Sequence, residues 1–377
     1  MGRRTGGKGK ATPASIVIGL IVLGVAWLLS PKKPAGTTPP SSPSGERAES
    51  RRSTEAGTKQ RDTTANTPAT TESSREAAST TAPTPRGPAP TSITIASWNI
   101  EWLGNPSQRS GEGKGVAQDP TDLAEAIKRS EASVIALQEI SPTGTPNAGP
   151  NDEPRSRELD VVAAKLGGGW RYLLFPSRSG DQFTGFLYNS GVVSPVSDRE
   201  GDAWRVPVPT RKSSQGSGLW VRPPTAVKFS AGASKTDFVL IVVHMKADFD
   251  GDFAKHRDEE AKALAALLPD VRRVFKDEDV VILGDTNMTD DHEAAETTYE
   301  RAGLKDLNTA NAGTHWRGGG TDKIFVPAAQ PEFADSAFRV LNHDRVLSRT
   351  MSPAAFKRRF SDHYMVTTTV RVQSDDD

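Results

Sequence analysis

Residues 31–92 contain no Ile, Leu, Val, Met, Phe, Trp or Tyr. A segment with almost no apolar side chains cannot offset the conformational entropy that it would lose on folding. We therefore predict that residues 31–92 form a disordered linker rich in Pro, Ser and Thr. Only residues 93–372 are then left to form a folded domain, which is long enough to bury one sizeable core. The short acidic tail 373–377 follows it.

Residues 14–30 form an uncharged, mostly apolar run, preceded by Arg or Lys at positions 3, 4, 8 and 10. The run is just long enough to cross a bilayer as a helix, so we predict a single transmembrane anchor. By the positive-inside tendency, the basic tail 1–13 stays in the cytoplasm and the C-terminal domain lies outside. The alternative is a signal peptide, whose cleavage would release a secreted protein, but residues 30–34 offer no small-x-small cleavage site.

The chain has no cysteine, which excludes disulfides, thiolate metal sites and Cys nucleophiles. Its formal net charge is zero. This total combines a basic excess in residues 1–92 with a matching acidic excess in the rest of the chain. A protein that binds nucleic acid through a broad basic surface would show the opposite balance in its folded part. Contacts between the folded domain and phosphate groups must therefore be local.

Apolar runs rich in β-branched residues alternate with amphipathic segments between residues 93 and 372. The runs that predict strands are Ile93–Trp98, Val134–Leu137, Phe186–Tyr188, Ala226–Phe229, Phe238–His244, Val280–Leu283, Lys323–Val326 and Tyr364–Val372. The segments that predict helices are Asp122–Ser130, Arg157–Leu166 and Lys255–Leu268, the last of which Pro269 should end. Helices that cover buried sheets indicate a layered α/β domain.

Polar side chains stand at the ends of these apolar runs. The positions are Asn99, Glu101, Glu139, His244, Asp285, Asn287, Asp322, Asp362 and His363. Taken singly, an Asp or Asn after a strand is usually a turn former, and a single His is usually structural. Because the same groups recur after strand upon strand, we expect them to meet in one cleft of the sheet scaffold.

The motifs SWNIEWLG, ALQEI, VVHMKA, ILGDTN, TDKIFV and SDHYMV, in this order, resemble the endonuclease/exonuclease/phosphatase superfamily of deoxyribonuclease I-like proteins. The resemblance covers essentially all of residues 93–372. It implies an α/β fold, a four-layer α/β/β/α sandwich of two mixed sheets. It also implies hydrolysis of phosphate esters with a divalent metal ion.

The resemblance implies that Glu139 holds the metal ion, with help from Asp362 and Asn99. Oxygen ligands of this kind suit Mg²⁺ or Mn²⁺. Hydrolysis of a phosphate ester needs such a cation to neutralise developing charge, and it needs an oriented, deprotonated water. By the same similarity, Asp285 orients or deprotonates the water, and Asn287 positions the water or a phosphate oxygen.

His363 is expected to face the phosphate, with Asp322 behind its ring to fix the tautomer and raise the pKa of the imidazole. His244 resembles the second imidazole of the nuclease, sphingomyelinase and inositol-phosphatase branches, which is suited to protonating the leaving oxygen. Its carboxylate partner is uncertain, because Gln182 stands at the expected Glu position and Asp181 is one residue away.

Basic residues form two local clusters in the sequence. The first comprises Arg205, Arg211, Lys212, Arg222 and Lys228, and the second is Lys357, Arg358 and Arg359. Arg222 resembles an Arg-x-Pro element of the family and is expected to bind a substrate phosphate. The clusters would attract a polyanion if they flank the cleft, but charge runs of this kind also occur on ordinary solvated surfaces.

The favoured interpretation is a membrane-anchored, Mg²⁺- or Mn²⁺-dependent nuclease with nucleic acid as substrate. The first alternative is a sphingomyelinase-like or other lipid or small-molecule phosphodiesterase or phosphatase, which should expose an apolar loop. Trp204 and Trp220 are the candidates for such a loop. The Trp-x-Asp-Arg-Ile element of inositol 5-phosphatases is absent around Asp322, which disfavours phosphoinositides. The second alternative is a noncatalytic binding module on the same fold.

Overall fold

A computed structural model describes residues 91–145, 154–196, 204–206, 218–247, 253–289 and 292–374. The basic tail 1–13, the predicted anchor 14–30 and almost all of the predicted linker lie outside the described residues, as do residues 375–377. Among the described residues, no helix combines the length and the apolar character that a membrane crossing requires.

The first sheet has six strands in the order β12-β13-β1-β2-β4-β3. These strands are β1 (Ser92–Leu103), β2 (Val134–Ile140), β3 (Trp170–Phe175), β4 (Phe183–Asn189), β12 (Arg339–Leu341) and β13 (Met365–Arg371). β1 and β2 pair in parallel, whereas the other neighbours are antiparallel. The sheet is therefore mixed.

The second sheet has seven strands in the order β10-β11-β9-β8-β7-β5, and β6 also pairs with β7. These strands are β5 (Ser194–Pro195), β6 (Trp204–Arg205), β7 (Thr225–Ser230), β8 (Asp237–His244), β9 (Val280–Asp285), β10 (Leu304–Asp306) and β11 (Asp322–Pro327). β8 and β9 are its parallel pair. Each sheet thus has one central parallel pair, whose two strands end at the same edge.

Three layers of apolar side chains hold the domain together. The middle layer joins the two sheets, and it includes Ile95 of the first sheet and Phe229 and Leu240 of the second. The outer layers pack the remaining face of each sheet against helices. Along β8, alternate residues therefore enter different layers, and this burial on both faces explains the continuous apolar run in the sequence. The predicted α/β sandwich of two mixed sheets is confirmed.

The helices that cover the first sheet are α1 (Pro120–Ser130), α2 (Arg157–Leu166) and α6 (Pro353–Arg359). The helices that cover the second sheet are α3 (Ala254–Ala265), α4 (Leu268–Phe275) and α5 (Ala294–Arg301). The prediction that Pro269 ends the third predicted helix was wrong. The third helix ends earlier, at Ala265, and Pro269 lies in the first turn of α4, where its missing N–H costs nothing.

α6 leads directly into the motif Ser361-Asp362-His363. The Ser352 side chain caps its N-terminus by accepting a hydrogen bond from the Ala355 N–H (3.2 Å), and Pro353 occupies the first turn. The buried rings of Phe356 and Phe360 stack at 5.2 Å and anchor the helix in the outer apolar layer of the first sheet. The position of the motif is therefore fixed by packing on its N-terminal side.

Phe229 is buried in the middle layer, with its ring 5.4 Å from that of Phe186 in the opposite sheet. Replacing Phe229 by Ala should lower the free energy of unfolding by about 3–5 kcal/mol, because it leaves a cavity between the sheets. Urea unfolding followed by circular dichroism measures the change. Val161→Ala is the control, because Val161 is 44% exposed on α2 and its loss should change stability by less than about 0.5 kcal/mol. Equal stability of the two variants would contradict the assignment.

Candidate active site

The polar residues at the strand ends converge at one edge of the sandwich. In the second sheet, His244 pairs with Asp285, and Asp285 pairs with Asp322 on its other side. Asn99 and Glu139 come from the parallel pair of the first sheet. The Asn99 Nδ2 donates to Glu139 Oε1 (3.1 Å) and to Asp285 Oδ2 (2.9 Å), so one amide joins the two sheets at this edge.

Glu139 and Asn287 both adopt left-handed backbone conformations, with φ of 61° and 52°. Such angles are uncommon for residues other than glycine. The pairing of β2 with β4 shifts register between Leu137 and Ile140, which marks a β-bulge around Glu139. A bulge redirects the side chain from the regular alternation of the strand. The bulge at Glu139 therefore directs its carboxylate towards the cleft.

These residues line a cleft of about 430 Å³. Its lining includes Ser110, Glu139, His244, Asp285, Asn287, His315, Trp316, Arg317, Asp362 and His363. Glu139 is surrounded by other acids, and burial, followed by the charge of Asp362, raises the pKa of Glu139 to about 7. Burial likewise raises the pKa of Asp285, although His363 partly offsets it. Clustered carboxylates with raised pKa values are unfavourable unless a cation joins them.

The ring of His363 lies between two carboxylates. Its Nδ1 is 2.9 Å from Asp322 Oδ2, and its Nε2 is 3.7 Å from Asp285 Oδ2. Burial acts to lower the pKa of His363, but the charges of Asp322 and Asp285 outweigh it and hold the pKa well above its ordinary value. The imidazole is therefore positively charged near neutral pH. The structure brings Asp322 to the back of the ring, as the sequence predicted.

His244 differs from His363 because no carboxylate stands behind its ring. Its Nε2 is 3.5 Å from Asp285 Oδ2 and 3.7 Å from Glu139 Oε1, while its buried Nδ1 has no hydrogen-bond partner among the described residues. Burial, together with the positive charge of Arg222, holds the pKa of His244 well below its ordinary value. The ring is thus neutral. The role of His244 as a proton donor to the leaving oxygen stays a prediction.

Arg222 contacts protein groups behind the cleft. Its guanidinium donates to the backbone oxygens of His244 (3.2 Å) and Met245 (2.9 Å) and to Gln182 Oε1 (2.9 Å). Gln182 thus binds Arg222 rather than His244, and the Asp181 carboxylate accepts a hydrogen bond from Ser179. Neither candidate partner reaches the His244 ring. Arg222 is also not among the residues that line the cleft, so the structure does not bring it to a substrate phosphate.

The amide of Asn99 is oriented by the backbone. The Glu101 N–H donates to Asn99 Oδ1 (2.9 Å), which leaves Nδ2 facing Glu139 and Asp285. In this orientation the Asn99 Nδ2 joins the two acids and its oxygen faces the backbone, and the role of Asn99 as a metal ligand stays a prediction. The carboxylates that remain as oxygen donors towards a cation are Glu139, Asp285 and Asp362. Among the described residues, two sets of potential ligand atoms lie within 4.8 Å of one another: Glu139, His244 and Asp285 form one, and Asp285, Asp322 and His363 form the other.

Several residues of the cleft wall were not predicted from the sequence, and among them are His315, Trp316 and Arg317. The His315 ring meets that of His363 edge-on at 5.1 Å, and burial, with the charge of His363, lowers the pKa of His315 to about 4. The backbone N–H of Trp316 donates to the backbone oxygen of Asp362 (2.7 Å). The only signal in the sequence was the position of this segment just before the glycines that precede Asp322, and a loop has no periodicity by which to recognise it.

Several basic residues of the two clusters are held in ion pairs or buried, as far as the structure describes them. Lys228 is buried, 2.8 Å from Asp237, and Lys357 is also buried. Arg359 pairs with Asp122, whereas Arg358 is exposed. Arg211 and Lys212 lie outside the described residues, and only the backbone of Arg205 is described. Trp220 is 1% exposed and cannot form an apolar loop for a lipid surface.

A family model for the Endonuclease/Exonuclease/phosphatase family matches residues 96–363. This range is well over half of the chain, and it includes the cleft residues from Asn99 to His363. No curated protein sequence matches the chain at significant similarity. The resemblance inferred from the motifs is therefore confirmed by the family model.

Several solved structures are similar to this chain. The human Nocturnin catalytic domain with bound sulfate is 14% identical over 76% of this chain and 95% of its own, with a TM-score of 0.48. TDP2 from D. rerio in complex with a single-strand DNA product is 14% identical over 76% of this chain and 100% of its own, also at 0.48. The mannosyl-6-phosphatase Bt3783 of Bacteroides thetaiotaomicron is 16% identical over 73% and 98%, at 0.49.

The assignment rests on the family model and on the two mixed sheets that carry the cleft. The chain belongs to the endonuclease/exonuclease/phosphatase family, whose members are phosphoric ester hydrolases.

Proposed function

We propose that this chain is a phosphodiester hydrolase that depends on Mg²⁺ or Mn²⁺ and acts on nucleic acid. One observation supports this most strongly. The charged imidazole of His363, backed by Asp322, lies beside Asp285 in the same cleft as the carboxylate of Glu139. Residues with shifted pKa values cluster at catalytic sites. A noncatalytic binding module has no need for several buried acids and imidazoles of this kind.

The donor set of the cleft fits a hard divalent cation. Glu139, with Asp285 and Asp362, supplies carboxylate oxygens that repel one another in a partly buried site, and burial, followed by the charge of Asp362, raises the pKa of Glu139 to about 7. Mg²⁺ and Mn²⁺ prefer such ligands. When bound, the ion would neutralise charge on the phosphate and help to orient the attacking water. Glu139 and Asp362 are the proposed ligands.

The protein groups have separate proposed tasks. Asp285 accepts a proton from the attacking water, since burial raises the pKa of its carboxyl group towards the range that suits a general base. Asn287, whose side-chain nitrogen donates to the Met245 backbone oxygen (3.1 Å), is held at the cleft edge to orient that water or a phosphate oxygen. His363 presents a positive Nε2 to the developing charge on the phosphate. His244, being neutral, orients groups in the cleft by hydrogen bonding.

The cleft wall favours nucleic acid over lipid as the substrate. The guanidinium of Arg317 lies 4.8 Å from the ring centroid of Trp316, and both residues line the cleft. A cation next to an aromatic side chain suits a chain of phosphates and bases, because bases stack on aromatic rings. The buried position of Trp220 removes one of the two candidates for a lipid-contacting loop. This local cation also fits a folded domain that is acidic as a whole.

We further propose that residues 14–30 anchor the enzyme in a membrane, with the catalytic domain on the extracytoplasmic side. The support is the uncharged run itself and the basic residues before it. If residues 14–30 are an anchor, the full-length chain should stay in the membrane fraction after extraction with alkaline carbonate. Deletion of residues 14–30 should release the chain into the soluble fraction. Recovery of the intact full-length chain in the soluble fraction would contradict the proposed anchor.

The hydrolase proposal predicts metal-dependent cleavage of plasmid DNA or RNA by the full-length chain with Mg²⁺ or Mn²⁺, and loss of cleavage with EDTA. His363→Ala should lower the rate by about 10²–10⁴-fold, because it removes the charged donor to the phosphate. His343→Ala is the matched control, since His343 binds the Tyr364 hydroxyl (3.1 Å) and does not line the cleft. Sphingomyelin and a phosphomonoester are assayed in parallel. Hydrolysis of sphingomyelin or of the phosphomonoester without hydrolysis of DNA or RNA would contradict the proposal that nucleic acid is the substrate.

The Asp322–His363 pair predicts a pH effect. The raised pKa of His363 keeps the imidazole charged to higher pH, and activity should fall as pH rises through that pKa. Asp322→Asn removes the carboxylate that raises the pKa, so the alkaline fall should move to lower pH by about one unit or more. The pH profile of kcat measures this shift, with Asp335→Asn, at an exposed position, as the control. An unchanged alkaline limb in Asp322→Asn would exclude His363 as the charged group.

A further inference from the structure

Lys357 is a fully buried lysine at the floor of the cleft, and the reaction proposed above does not use it. Its Nζ donates to Glu101 Oε1, to Ser110 Oγ (3.2 Å) and to Asp362 Oδ2 (3.1 Å). An ammonium group has three N–H donors, so all of them are used. Ser110 and Asp362 line the cleft, which places this positive charge directly behind the cleft surface.

Glu101 holds Lys357 from the protein side. Glu101 is 2% exposed, and it accepts hydrogen bonds from Arg109 Nε (3.0 Å) and from the Ser110 N–H (2.9 Å) as well as from Lys357. The guanidinium of Arg109 also donates to the backbone oxygen of Lys357 (2.6 Å) and of Phe360 (3.3 Å). The lysine is thus fixed at its side chain and at its backbone, and it cannot withdraw without breaking a buried network.

Asp362 is shared between this network and the cleft. Its Oδ2 faces Lys357, while its Oδ1 faces Ser361 Oγ (3.4 Å) and His363 Nε2 (4.0 Å). A carboxylate with one oxygen on each of two cations is the arrangement of two-metal hydrolases, in which the ions stand about 3.5–4 Å apart. Here one oxygen of Asp362 is already held by an ammonium group that the fold itself supplies, while the other remains on the cleft side.

We propose that Lys357 is a resident cation that fills the place of a second divalent ion, so that the cleft binds one Mg²⁺ or Mn²⁺ through Glu139. The inference rests on the metal dependence in the proposed function. It assigns Lys357 as a positioning residue, which neutralises one oxygen of Asp362 and holds the other towards the cleft. Its charge also repels any further cation, because like charges interact strongly at such short range in a buried site.

The test counts Mn²⁺ ions bound to the full-length chain without substrate, by electron paramagnetic resonance of free Mn²⁺ during a titration. The wild type should bind one ion. Lys357→Met, which has a similar length but no charge, should bind a second ion or bind the first about 10-fold more tightly or more. Lys357→Arg keeps the charge and should bind one ion as the wild type does.

Lys228→Met is the matched control for loss of a buried lysine. Lys228 pairs with Asp237 (2.8 Å) and Asp277 (3.3 Å) far from the cleft residues in the strand register, so its loss should reduce stability without changing Mn²⁺ binding. If Lys357→Met does not fold, the double variant Glu101→Gln with Lys357→Met removes both members of the buried pair and should also gain the second ion.

Two Mn²⁺ ions on the wild type would overturn the inference whether or not the variants fold. Unchanged stoichiometry and affinity in folded Lys357→Met would overturn it as well, since a lysine needed only for the fold would give that result. Absence of any bound ion on the wild type would remove both this inference and the metal dependence of the proposed reaction. One bound ion without hydrolysis of any phosphate ester would support the resident cation and reject the proposed reaction.

Discussion

The amide group of Asn99 is the contact on which the geometry of the cleft depends. It donates to one carboxylate in each sheet, Glu139 and Asp285, and the Glu101 N–H fixes which end of the amide faces them. Two buried acids repel each other, and a shared donor offsets part of that repulsion. The contact requires the two sheets to keep one relative position, and the middle apolar layer, which includes Phe229, holds them there. Packing between the sheets therefore determines the distances between groups at their edge.

Charged side chains around this edge lie at two depths, at the cleft surface and buried behind it. Acids face the cleft, and buried cations lie behind its surface: Lys357 contacts the carboxylate of Asp362, and Arg222 donates hydrogen bonds to the backbone oxygens of His244 and Met245. Buried cations in these positions hold groups in place and cannot reach a substrate. Attraction of a phosphate then depends on the groups in the cleft itself, His363 and Arg317 among them.

The sequence predicted the strands that are buried on both faces, because a run such as Phe238–His244 has no other stable environment. It missed short edge strands such as Ser194–Pro195 and Arg339–Leu341, which carry no pattern of their own. It predicted the cleft residues that end strands, since strand ends share an edge. It did not reveal the burial of Lys357, nor the contact of Gln182 with Arg222, because both depend on side chains distant in sequence that meet only in the folded chain.

Burial lowers the pKa of His244, and the contact between Gln182 and Arg222 adds to the difference between the two imidazoles of the cleft. A glutamine cannot ionise, and this one accepts a hydrogen bond from a guanidinium whose positive charge also lies close to His244. His244 is therefore left without a negative partner at Nδ1, whereas His363 has Asp322 at the equivalent atom. One ring is neutral and the other is charged, although both point their Nε2 atoms towards Asp285. The protein can thus present a neutral and a positive imidazole to the same group at one pH, and the asymmetry originates in residues that lie behind the cleft.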